Sequence, residues 1–385
     1  MVNQITETSS ESWFSRMIGS IKSVLAGGVM FLIAFPLLFW NEGRAVTTAR
    51  SLEEGAGAVV SVSPDRVESA NQGKLVHVSG LATTDETVTD PDFGVAAGAI
   101  KLERKAEMYQ WQEEKKSEEK SKLGGGTETK TTYAYKQAWS AKLTDSSRFK
   151  QPEGHTNPSA MPYQSQTFMA GKVTLGAFAL PVALVEKIVG AEELRVDDQM
   201  AEQLPEGVDA VQDAGSFYIG KDPKVAQIGD LRVRFSVVKP QTVSLVAQQT
   251  ASTFEPYQSK AGDAILLLQG GTLSAAAMFK AAQEENAILT WILRGLGFML
   301  MFIGMVMVFR PIAVFGDVIP LFGSLLGAGV GIFSFMISAF LSLGTIAVAW
   351  ILYRPLFAIG LLVLGFGAMA LLVAVALRAR QAKAA

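Results

Sequence analysis

The sequence predicts a multi-pass α-helical membrane protein with four spans and an α+β fold, a large strand-rich non-cytoplasmic domain being inserted between spans 1 and 2. Three observations predict it. Residues 288–377 are almost unbroken apolar sequence, interrupted only by Arg294, Arg310, Asp317 and Arg354. Runs within it exceed the roughly 20 residues needed to cross a bilayer, and no soluble core requires helices that apolar all round. A second uncharged run, 23–41, stands near the start of the chain. Between the two, several stretches alternate with period two, the signature of half-buried strands.

Taken in order, residues 1–12 are polar, rich in Ser, Thr and Glu, and expected to be disordered within a cytoplasmic tail, 1–22. Trp13, Phe14, Ser15, Arg16, Met17 and Ile18 make a short amphipathic run suited to the membrane surface. Residues 23–41 just cross a bilayer core at about 1.5 Å per residue. Their positive-then-apolar order also fits a signal peptide. However, bulky Leu38, Phe39 and Trp40 stand where cleavage requires small residues, so the segment reads as an uncleaved anchor. Arg16 and Lys22 precede it, and Arg378, Arg380 and Lys383 follow the last apolar run, placing both chain ends in the cytoplasm and requiring an even number of spans. The four are 23–41, 288–309, 319–342 and 356–377, with a cytoplasmic tail at 378–385. The apolar stretch 319–353 is too long for one upright helix and either tilts or emerges before Tyr353. Arg354 falls on the far side, Asp317 belongs to the short cytoplasmic turn, and Arg294 snorkels outward from the opening turns of its span.

The inserted domain, 42–287, is periplasmic or lumenal. Residues 74–80 and 100–112 alternate, the latter placing Leu102, Arg104, Ala106, Met108 and Gln110 on one face. Residues 131–143 continue the pattern, and 231–247 make one strand pair or one long strand. The charged, Gly-rich stretch 113–126 reads as a solvated hairpin tip. Residues 177–188 read as a short helix with Pro181 near its start, and 272–286 as a helix running without a breaker into the second span.

Composition narrows the chemistry. The net charge of −2 offers no basic face to nucleic acid, and the absence of cysteine excludes disulfides and thiolate sites. Two histidines, His77 and His155, are too few for a histidine-rich metal site. The Asp145-Ser146-Ser147 stretch and His155 invite a hydrolase reading, but no Gly-x-Ser-x-Gly elbow surrounds either serine, and turn capping accounts for them. The spans carry no acidic residue or histidine at mid-depth with which to couple an ion. In the third span Gly323, Gly327 and Gly331 recur every four residues, followed by Ser334, Ser338 and Ser342. That spacing lets helix backbones approach closely, within one bundle or between copies. The single Asn-x-Ser match carries Pro158 after Asn157, and with the Ala/Gly-rich composition this leans toward a bacterial source.

From Trp40, Asn41, Glu42, Gly43 and Arg44 onward the chain resembles the transmembrane protein 43 (LUMA) family. The likeness continues through Arg104, Glu107, Tyr109 and Trp111, then Tyr133, Tyr135 and Trp139, Asp145 with Ser146, His155 with Asn157 and Pro158, and Gly229, Asp230 and Arg232. It covers nearly the whole chain. The resemblance implies a membrane organiser rather than an enzyme, with no catalytic residues and no cofactor to transfer. Eukaryotic members share the four-span layout, reside in the endoplasmic reticulum and inner nuclear membrane, self-associate, and work with lamins and emerin. A bacterial source removes those last partners and places the domain outside the inner membrane. The expectation is a self-associating scaffold whose partners are the bilayer, further copies and other membrane proteins, never nucleic acid. The alternative is a lipid- or ligand-binding protein using the inserted domain.

Overall fold

The protein was analysed as a computed structural model that describes residues 4–356, 359 and 360. The expected fourth span therefore lies almost wholly outside the described residues, as does the tail at 378–385. Among the described residues three helices are long and apolar enough to cross a membrane. They are α1 (Trp13–Ala58), α2 (Ala275–Gly316) and α3 (Pro320–Tyr353). Ser12 and Ser274 cap the first two, each hydroxyl accepting an N–H three residues on. Pro320 opens the third, where its missing N–H costs nothing.

Close packing of α1 on α2 is written in glycine. A Cβ added at Gly27 would lie 2.6 Å from the Gly304 carbonyl oxygen, and one at Gly304 would lie 2.7 Å from that of Gly27. One turn group higher, Leu38 fills the space over Gly297. Apolar burial drives no association in lipid, so this backbone proximity and the polar bonds described below hold the bundle.

Six strands frame the domain: β1 (Gln4–Glu11), β2 (Leu75–Thr83), β3 (Lys101–Ser121), β4 (Thr127–Ser140), β5 (Leu231–Val238) and β6 (Gln241–Thr250). One sheet runs β1, β4, β3, β5, then Ser216–Ile219 and Val211–Asp213. The other runs Phe178–Leu180, Val173–Leu175, β2, β6, then Thr253–Glu255. Their inner faces share one core, in which Val76 and Val78 from β2 meet Leu102 and Ala106 from β3 and Phe235 from β5. Phe93 anchors it, with its ring 5.4 Å from that of Phe217 and 5.9 Å from that of Phe235. Each such ring contributes about 1.5–3 kcal/mol by leaving water. Leu52 of α1 and Met278 and Phe279 of α2 pack with Leu75 and Val246 of the second sheet, which seats the domain on the helices.

The alternating face predicted in β3 is buried throughout, Leu102, Arg104, Ala106, Met108 and Gln110 all being at most 4% exposed. Elsewhere the structure corrects the expectations. Residues 4–11 are not disordered but form β1, antiparallel to β4 from Gln4↔Ala134 to Glu11↔Thr127. Their own polarity could not reveal this, because the pairing edge comes from far along the chain. The amphipathic run at Trp13 is the first turns of α1 rather than a separate surface segment. Residues 231–247 form neither a strand pair nor one strand: β5 and β6 part at Lys239 and Pro240 into different sheets. Residues 177–188 hold strand Phe178–Leu180 and only one helical turn, Val182–Val185, because Val173–Leu175 captures the first part. The stretch 319–353 is one continuous helix after Ile319. Arg294 does not snorkel outward; it turns inward to a carboxylate.

Candidate functional site: the membrane-exit junction

Asn41, Glu42 and Arg44 of α1 are turned onto α2 and α3. Glu42 is fully buried, and its carboxylate accepts from Arg294 Nε at 2.6 Å, Arg294 Nη2 at 2.8 Å and Trp350 Nε1 at 2.8 Å. The Arg294 guanidinium is sandwiched by Trp291 and Trp350, with ring centroids at 4.7 and 5.7 Å. Asn41 Nδ2 donates to the Thr290 carbonyl at 3.1 Å. Arg44 reaches Asn286 Oδ1 and Thr290 Oγ1, both at 2.9 Å, while Asn286 Nδ2 donates back to the Ala45 carbonyl. Gly43 leaves room for the Tyr353 ring, from which a Cβ there would lie 2.8 Å. Trp40 points the other way, 56% exposed, as suits an interfacial aromatic.

The remaining motif residues form three further groups in the domain. In the first, Asn157 is a backbone clamp. Its Oδ1 accepts the Trp111 N–H at 2.7 Å, and its Nδ2 donates to the carbonyls of Trp111 and Thr144. His155 lies 3.9 Å from the Tyr135 ring in a stack, with Trp111 edge-on, and its Nδ1 bonds the Gln151 carbonyl. Tyr135 donates to Glu113, and burial followed by that bond pushes its phenol up. Tyr133 sits beside them on β4, under the Lys115 ammonium.

In the second group, Arg232 reaches Glu107 at 2.8 Å and lies over Trp139, which packs on Tyr109. Burial alone would raise the Glu107 carboxyl, but the bonds from Arg232 and Lys105 hold it below its ordinary value. Tyr218 donates to Asp230, and burial with that bond drives the phenol far up. Gly229, at φ +100°, makes the turn ahead of Asp230 with Pro158 packed over it. In the third group, Arg104 is buried against Asp90 at 2.8 Å and Asp92 at 2.7 Å.

These arrangements do not form a relay. A cavity of about 390 Å³ is lined by Asp145, Ser146 and Ser147 but not by His155. Ser146 Oγ accepts the Asn157 N–H, and Ser147 donates to Asp145 from both its Oγ and its N–H, two bonds that hold that carboxyl low. Among the described residues no group of three or more His, Asp or Glu side chains is placed to hold a metal. In α3, Gly323 packs on the Asp317 turn, while a Cβ at Gly327 or Gly331 would meet nothing among the described residues within 4 Å. Sequence reasoning missed Gly27, Gly297 and Gly304. The spacing of 297, 301 and 304 along one face of α2 was the available signal.

Comparison with known proteins gives the family. The family model for transmembrane protein 43 matches residues 108–355. The human and mouse proteins of that name are each 35% identical, over 96% and 92% of this chain and 93% and 90% of their own lengths. The chain belongs to the transmembrane protein 43 family. A Drosophila melanogaster homolog is 31% identical over 89% of this chain and 91% of its own length. No solved structure matches. As a transmembrane protein 43 family member it is an integral membrane protein with a strand-rich domain, and none of these relatives is named as an enzyme.

Proposed function

We propose that this chain is a non-enzymatic scaffold that self-associates and organises membrane or membrane-protein assemblies. One observation carries the reading. The polar side chains of the exit motif, Asn41, Glu42 and Arg44, are spent on joining helices and hold the domain in a set pose over the bilayer. A reactive site keeps such groups poised toward a cleft; here they are bolts. In this reading the domain lies outside the cytoplasm, residues 1–22 and 378–385 lie inside, and a fourth span completes the bundle. The small-residue face at Gly327 and Gly331, which no described residue covers, supplies a surface on which a helix of a second copy packs closely. Crosslinking in native membranes tests this. Wild type is expected to give oligomers that Gly327→Leu reduces, and monomers in both would refute the proposal.

A second reading has its own observation. A cavity of about 260 Å³ opens where the domain meets the helices, lined by Leu52, Ile265, Leu267 and Leu289 with Arg44 at its edge. Asp263 and Glu285 line it together with Arg44, so the chemistry suits an acyl chain with a zwitterionic headgroup. Lipid co-purifying in stoichiometric amount would favour this reading over the scaffold.

A further inference from the structure

Three segments far apart in the chain meet at the lower end of the helix bundle. The tip of the β3–β4 hairpin touches the α2–α3 turn, Gly124 N–H donating to the Val318 carbonyl at 3.1 Å. Arg16, at the start of α1, donates to the Gly125 carbonyl at 2.5 Å and pairs with Asp317 at 2.6 Å. Trp13 Nε1 donates to the Val314 carbonyl at 2.9 Å. The N-terminal strand β1 then climbs back along β4 for eight residues.

The consequence follows from helix direction. Because α2 leaves the domain at Ala275 and ends at Gly316, its far end lies across the bilayer from the domain once it crosses. The hairpin tip is at that far end. Lengths agree: from Met108 to Ser121 β3 extends roughly 43 Å at about 3.3 Å per residue. From Arg16 to Glu42 α1 rises roughly 39 Å, and a hydrocarbon core is about 30 Å thick. Lipid cannot cover this ribbon. Beyond Glu113 the β3 side chains are exposed and nearly all Glu, Lys or Ser. Among the described residues no strand pairs with the outer edge of β1, or with that of β3 beyond Met108. Backbone groups and charges at bilayer depth require protein or water around them.

We propose that the β3–β4 hairpin, with β1 as third strand, runs through the bilayer beside the helices and is covered there by a second copy of this chain. The outer edge of β1 in one copy lies against the outer edge of β3 in the next. The two free edges sit on opposite sides of the ribbon and run in the same direction, which makes the contact head-to-tail and allows a closed ring with the helices outside. Another copy brings the matching edge at the matching depth. This rests on the self-association proposed above and redraws its topology in two places: residues 4–11 lie within the bilayer, and the hairpin tip reaches the cytoplasmic side.

The chain contains no cysteine, so single thiols report directly. Leu123→Cys marks the hairpin tip and Val225→Cys the domain, both at exposed positions. In sealed vesicles of one orientation an impermeant thiol reagent should label one and spare the other, the pattern reversing in inverted vesicles. Labelling of both from the same side overturns the proposal. The second arm co-expresses Thr8→Cys and Glu118→Cys on differently tagged copies, both positions lying level with Lys130 on the two outer strands. A short bismaleimide should join the tags. Opposite-side labelling without that product, in a chain still oligomeric by general crosslinking, overturns the edge contact alone. A chain monomeric in both assays overturns self-association itself.

Discussion

Breaking the Glu42–Arg294 pair should be the most damaging single change at the junction. Glu42 is fully buried and the Arg294 side chain is 15% exposed, so removing the carboxylate strands a guanidinium without its counter-charge. Losing one partner of a buried pair costs about 3–5 kcal/mol, because the survivor keeps its desolvation penalty. The Trp291 and Trp350 rings offset part of this for Arg294. In Glu42→Gln the amide still accepts from Trp350 but carries no charge. At about 2–4 °C per kcal/mol, the midpoint of detergent-solubilised protein should fall on the order of 10 °C. Arg294→Met should fall similarly, and the double variant should recover much of the loss, since both charges are then gone. Tm is read from the loss of monodisperse protein on size exclusion after heating. Single variants within 1–2 °C of wild type (~0.5 kcal/mol), or losses that simply add in the double, would refute the buried pair.

Neighbouring glycines give an internal control: Gly27→Leu should disrupt α1–α2 packing by about 1–3 kcal/mol, whereas Gly28→Leu, with no described residue within 4 Å of its Cβ, should leave Tm near wild type. Asn157→Ala removes two hydrogen bonds that tie β3 to the loop after β4 and a third within that loop, and should lower stability by about 1–3 kcal/mol in urea denaturation. The Glu107 carboxyl is held below its ordinary 4.5, so its contribution is present above that pH and lost as pH falls through the lower folded value. Tm against pH between about 3 and 6 should therefore be steeper for wild type than for Glu107→Gln.

Sequence alone determined which segments could cross a bilayer and which face of β3 would be buried. Both are local properties: an apolar length measured against bilayer thickness, and a period of two along one strand. The exit motif was legible as a cluster for the same reason, five consecutive residues at the end of an apolar run. Only the tertiary structure decided whom these residues meet. Glu42 and Arg294 stand 252 residues apart, and nothing near either in the chain announces the other. Residues 4–11 are polar, which suits a disordered tail and an edge strand equally well; β4, more than a hundred residues on, chooses the strand. Pro240 breaks a single alternating stretch, and the two sheets between which β5 and β6 divide arise from pairings made elsewhere. Pattern sets which face of an element is buried, while long-range hydrogen bonds and charge pairs, satisfied only once the chain has closed on itself, set its neighbours.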